Sequence, residues 1–174
     1  VGICAFLPFP GWQKMVAFLS SASILSYGIG PICLLALRKI QPEQRRPFKL
    51  LGSLFFCNIA YYVCNLMLYW CGFSVILKLC LAILFGFIIY LCYQKRNFWS
   101  GNYSLYWFFS YITVLLLLSY LGPFGGIARL KFPFGMLIIF PFSLLMLYLS
   151  QYCLVRDQAE KESFDLMNKQ LQDL

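Results

Sequence analysis

Five long apolar runs follow one another along the chain, at 12–37, 51–71, 74–92, 103–121 and 136–154, and none contains Asp, Glu or His. A helix needs roughly 17–25 residues to cross a hydrocarbon core, and each run is near that length. Five such helices in succession leave a soluble fold without a polar face. Only 11% of the residues are charged, against roughly 25% in average soluble domains. A bilayer resolves the conflict, because lipid is an acceptable surround for apolar side chains. Runs of this length are too long for barrel strands, and they show no period-2 alternation. The expected fold class is therefore all-α: a polytopic membrane protein with five transmembrane helices.

The chain opens on VGICAFLPF, with Val1 in place of a start methionine and no basic segment of the signal-peptide kind. Residues 1–9 read as the last turns of a preceding transmembrane helix, and the chain as a fragment of a longer protein. Residues 12–154 then form the membrane domain. Residues 155–174 form a polar tail in which Phe164, Met167, Leu171 and Leu174 can share one face of a short amphipathic helix.

The connectors set the orientation. Arg38, Lys39, Arg45, Arg46 and Lys49 follow the first run; Lys95 and Arg96 follow the third; Arg156, Lys161 and Lys169 follow the fifth. If the spans alternate, these ten share one side, and Lys14, Arg129 and Lys131 fall on the other. The positive-inside rule makes the first side cytoplasmic. The expectation is a multi-pass protein of the cytoplasmic (inner) membrane with its C-terminus in the cytoplasm. The loop of Arg38, Lys39, Arg45, Arg46 and Lys49 is its cytoplasmic anchor, held by membrane lipids. Trp12, Tyr69 and Trp70 fall at the outer interface, and Tyr90, Tyr93, Phe98, Trp99 and Tyr103 at the inner one. The net charge of +8 sits at the borders of apolar segments rather than on a polar face, so no nucleic-acid partner is expected.

Within the first run, LSSASILSYGIGPICLL holds Ser20, Ser23, Tyr27, Gly28, Gly30 and Pro31. Proline has no amide hydrogen, so the Tyr27 carbonyl loses its partner four residues on. In lipid that carbonyl must find another donor. Two readings fit these six residues: a tolerated kink with close packing through small side chains, or a hinge lining a polar permeation path.

The remaining features point away from catalysis. Histidine is absent, so no Ser-His-Asp arrangement exists, and no catalytic residues are assigned. Cys57, Cys64 and Cys71 recur every seven residues and can line one helix face. That spacing lacks the close pairs of a zinc or iron–sulfur site, so neither metal nor cofactor is expected. Lys78 lies near the outer end of its span and can snorkel to the headgroups or face a wet interior. Gly122, Gly125 and Gly126 lie in a stretch without the Gly-Lys-Ser/Thr of a phosphate loop, and suit a tight re-entry of the chain.

The stretch GWQKMVAFLSSASILSYGIGPICLLALRKIQPEQRRPF resembles a late region of the amino acid–polyamine–organocation permeases. There a long helix ends in a loop of the form A-L-R-K/R-x-x-P-D/E-x-x-R-P-F. The matching positions are Ala36, Leu37, Arg38, Lys39, Pro42, Glu43, Arg46, Pro47 and Phe48. SYLGPFGG at 119–126 is similar to the branch that includes bacterial aspartate–proton symporters.

The resemblance implies the C-terminal portion of an inverted-repeat transporter bundle. Residues 1–9 would end the ninth helix and 12–37 would be the tenth. It also implies secondary active transport of amino acids by the parent protein, as symporter or antiporter, with protons as the coupling ion. The family holds its substrate mainly on unwound parts of the first and sixth helices, which this chain lacks. The fragment alone is therefore not expected to transport, and no substrate-binding residue is named. Arg38, Arg45 and Arg46 would steady the tenth helix against headgroups or loops while the bundle rocks. The alternative is a non-transporting membrane protein acting through helix packing or tail-mediated partner contacts.

Overall fold

The computed structural model of the chain describes residues 11–45, 51–93, 103–130 and 133–172. Its helices are α1 (Trp12–Ile40), α2 (Ser53–Cys71), α3 (Phe73–Tyr93), α4 (Tyr103–Leu121) and α5 (Phe134–Gln172), with no strand among the described residues. Each is long and apolar enough to cross a bilayer. The chain is an all-α, multi-pass membrane protein. Residues 1–9, Arg46, Lys49, Lys95, Arg96, Phe98, Trp99, Lys131 and Leu174 lie outside the described residues. So do the side chains of Lys161, Phe164, Met167, Lys169 and Leu171.

Helix α1 runs 29 residues without interruption through Pro31, roughly 44 Å at helical rise. A hydrocarbon core is about 30 Å thick, so the helix extends past it. Its last turn carries Arg38 and Lys39, cations that complement the negative end of the helix dipole. The buried residues Ser21, Gly28, Ile32, Leu35 and Ala36 form one stripe along α1. Serine and glycine in that stripe let the backbones of α1 and α2 approach closely. A Cβ at Gly28 would rest 3.8 Å from the Tyr61 ring.

A single residue, Gly72, joins α2 to α3, with φ 87°. A side chain there is excluded twice over. The left-handed backbone disfavours it, and a Cβ would lie 2.9 Å from the Phe124 carbonyl oxygen. That carbonyl accepts a hydrogen bond from the Phe73 amide at 2.9 Å. The loop after α4 is thereby stitched to the α2–α3 turn. Gly125 also has positive φ, 82°, and the Gly126 Cα faces the Tyr120 carbonyl too closely for any side chain. The chain folds back on the end of α4 here, with the Ile127 amide donating to Tyr120 O at 2.8 Å.

Helix α5 packs on α4, α2 and α1 through Ile139, Phe142, Ser143, Met146, Leu147, Ser150 and Gln151, all buried. The three- and four-residue steps between them make one helical face. Ser143 and Ser150 return their hydroxyls to Ile139 O and Leu147 O, each at 2.7 Å, which satisfies both buried groups within the helix. Past Leu154 the helix does not break: it continues to Gln172, because no glycine or proline occurs from Phe142 to Gln172. Residues 155–172 of the expected tail, read as able to form a short helix, continue the helix of the last span.

Candidate functional site

On α1, Ser20, Ser23, Tyr27 and Gly30 are exposed, on the side opposite the packed stripe. Tyr27 is 71% exposed. Ser23 turns its hydroxyl back to Leu19 O at 3.1 Å. Pro31 borders the same face and is half-buried. Gly28 is separate from them, buried against Tyr61 and Cys64 of α2. The six residues therefore divide into a polar outward face and one packing contact. The Ser23 hydroxyl is satisfied within the helix, while the Tyr27 side chain stands outside the packed bundle.

A second polar group lies inside the bundle. Asn65 of α2 is fully buried. Its amide nitrogen donates to Tyr61 O at 3.0 Å, and its oxygen accepts from the Tyr111 hydroxyl of α4 at 2.7 Å. One turn earlier on α4, the Trp107 indole donates to Met146 O of α5 at 2.9 Å. The rings of Trp107, Tyr111 and Phe142 lie nearly parallel, with 10° and 7° between successive planes and centroids 5.7 and 6.0 Å apart. Three helices are thus pinned by hydrogen bonds that have no water to compete with them. Sequence reading passed over Asn65. Its signal was an amide in the interior of an apolar run.

The third group sits at the ends predicted to be cytoplasmic. Asp157, on the extension of α5, is buried and faces the start of α4. Its carboxylate accepts from the Tyr103 amide at 2.8 Å, the Ser104 amide at 2.9 Å and the Ser104 hydroxyl. The first amides of a helix have no partner within it, and a carboxylate there also meets the positive end of the helix dipole. Asp157 is an N-cap supplied by another helix. Beside it, the Arg156 guanidinium lies 4.2 Å from the Tyr103 ring centre, a cation–π geometry.

Two of the cations expected to anchor the loop meet protein. Arg38 donates to the Ser53 hydroxyl at the start of α2, and the Lys39 ammonium is 5.9 Å from the centre of the Tyr148 ring. Arg45 is exposed. Lys78 of α3 is half-buried. Cys57 is buried and Cys64 and Cys71 are partly so. No group of three His, Cys, Asp or Glu is placed to hold a metal among the described residues.

Helices of this length, with polar groups pinned between them, define a polytopic membrane bundle. Across most of its length the chain is similar to two bacterial amino acid transporters. It is 31% identical over 153 residues to the aspartate-proton symporter of Bacillus subtilis (strain 168), covering 84% of this chain and 29% of the symporter. It is 30% identical over 143 residues to the glutamate/serine transporter AimA of the same organism, covering 79% of this chain and 26% of that protein. The chain thus spans less than a third of the length of these curated relatives. No family model matches it, and no solved structure does.

Proposed function

We propose that these five helices are the C-terminal portion of a secondary amino acid transporter of the cytoplasmic membrane, and that they work only together with the helices that make up the rest of such a protein. The observation that carries this reading is the outward face of Ser20, Ser23, Tyr27 and Gly30 on α1. In a homologue of amino acid permeases, that face turns toward the missing helices and lines the permeation path. Pro31 frees the Tyr27 carbonyl on the same side and gives α1 a place to bend. The C-terminus is cytoplasmic, and Arg38, Lys39, Arg45, Arg46 and Lys49 hold the inner loop at the anionic leaflet. The substrate is an amino acid and the coupling ion is the proton, by extension from the relatives' names.

Reconstituting the longest natural product in proteoliposomes and following labelled aspartate, glutamate and serine tests the reading. Uptake should rise with an inward proton gradient. Ser23→Leu and Tyr27→Ala should lower it several-fold while leaving the thermal midpoint unchanged. Absence of uptake for all three amino acids, in protein shown to be folded, refutes transport.

A further inference from the structure

The two ends of the bundle differ in charge. At one end Arg38 donates to the Ser53 hydroxyl, so α1 finishes where α2 starts. Lys39 rests over Tyr148, and Asp157 caps the start of α4, which brings late α5 and early α4 to the same end. Every carboxylate of the chain follows a segment that finishes there. Glu43 comes just after α1, and the other five Asp and Glu run from Asp157 onward.

At the opposite end α2 turns into α3 at Gly72, and the loop after α4 is stitched to that turn through Phe73 N and Phe124 O. Helix α1, which packs on α3, begins there. This end carries Lys14 in the first turn of α1, Lys78 in the second turn of α3 and Arg129 in the loop after α4. Lys14 and Arg129 are exposed, and a lysine stem is long enough to carry the Lys78 ammonium to the interface. No Asp or Glu occurs before Glu43, or between it and Asp157, so no carboxylate side chain offsets these cations. Between the elements that bear Lys78 and Arg129 lies an open crevice of about 320 Å³, lined by Trp70, Cys71, Gly72, Ser74, Phe124 and Gly125. Charges of one sign around a concave, low-dielectric wall focus their field and raise the local concentration of the opposite ion.

We propose that this end of the bundle is an anion-collecting face, centred on the crevice beside Gly72, that draws small carboxylate-bearing solutes to the membrane surface. In a transporter it speeds the capture of amino acids with net negative charge over zwitterionic ones. The field itself needs no transport. Its use in capture rests on the reading above, in which the C-terminus is cytoplasmic and this end faces outward.

Two native side chains report on the face directly: Trp12 is 74% exposed and Trp70 44%. The longest natural product is placed in phosphatidylcholine nanodiscs, whose headgroups carry no net charge. Quenching of its emission by iodide is compared with quenching by caesium and by neutral acrylamide. The emission lost in Trp12→Phe/Trp70→Phe isolates the contribution of this end. For that contribution, the iodide-to-acrylamide ratio should fall several-fold between about 0.01 M and about 1 M salt, as the screening length shrinks from roughly 30 to roughly 3 Å. The caesium ratio should rise. Lys14→Gln/Lys78→Gln/Arg129→Gln should hold the iodide ratio at its high-salt value throughout. An iodide ratio in the unsubstituted protein that ignores salt, or that moves in step with caesium, overturns the proposal, and that comparison needs no cation variant. In proteoliposomes, initial uptake of dilute aspartate should fall several-fold over the same salt range while serine uptake holds. Equal salt responses of the two amino acids overturn the capture step. If neither amino acid enters, the transport reading is what fails, and the quenching result still decides this one.

Discussion

The Tyr111 hydroxyl donates a hydrogen bond to Asn65 Oδ1 at 2.7 Å, joining α4 to α2 where neither group can reach water. Interhelical polar contacts in membranes contribute on average ~0.6 kcal/mol, and about 1–2 at the upper end. The larger effect comes from leaving one partner alone. Asn65→Ala should destabilise the bundle by about 1–3 kcal/mol, because the Tyr111 hydroxyl stays buried without its acceptor. Tyr111→Phe leaves Asn65 Oδ1 without its donor and should cost a comparable amount, and the double variant less than the sum. Thermal unfolding in detergent of the four proteins closes the cycle. Strict additivity would mean that the two side chains do not interact.

Asp157 offers a different kind of test, since its partners are backbone amides. Asp157→Ala should cost about 0.5–2 kcal/mol, the range for loss of an N-cap. It should also speed hydrogen exchange at the Tyr103 and Ser104 amides selectively. Ser104→Ala removes one of the three hydrogen bonds and should do less. If exchange at these amides is the same in Asp157→Ala and the unsubstituted protein, the cap is not formed in the membrane.

Glycines separate cleanly by what surrounds them. Gly30 and Gly86 face open space, and each is interior to a helix, where alanine is favoured by roughly 0.5–1 kcal/mol. Gly30→Ala and Gly86→Ala should be neutral or slightly stabilising. Gly122→Ala would place a Cβ 2.7 Å from the Tyr69 hydroxyl, and Gly126→Ala would drive one into the Tyr120 carbonyl. The Tyr69 ring can shift, whereas the backbone cannot, so Gly126→Ala should lower the folded yield most. Size-exclusion profiles of the four variants give the order.

Pro31 links fold to proposed motion. An interior proline costs a helix about 3 kcal/mol relative to alanine in water, less where neighbours re-satisfy the carbonyl. Pro31→Ala gives the Tyr27 carbonyl its amide partner back. The thermal midpoint should rise, while uptake by the longest natural product falls several-fold. A rise in both would show that bending at Pro31 has no part in transport.

Much of the fold could be read in the sequence because lipid imposes a simple rule. Where a run such as Ser53–Cys71 has no charge and ends at Gly72, length alone identifies the span. Boundaries were harder where charge and helix coexist. Arg38–Ile40 and Val155–Gln172 are polar, so they read as loop and tail. Both are helical, because hydropathy reports where lipid ends and not where hydrogen bonding ends. The outward Ser20–Ser23–Tyr27–Gly30 face was legible from helical spacing. Gly28 could not be separated from it without knowing that Tyr61 lies against it. Contacts between distant residues were invisible. Nothing in the sequence pairs Asp157 with Tyr103, more than fifty residues away, or Arg38 with Ser53 across a basic loop.

Because α5 runs unbroken from Phe134 to Gln172 and is clamped to α4 at Asp157, its C-terminal end has no swivel. A fluorophore rigidly attached beyond Asp157 turns with the helices in the bilayer and not independently of them. Polarised emission from such a dye would then report the tilt of the whole assembly as it works.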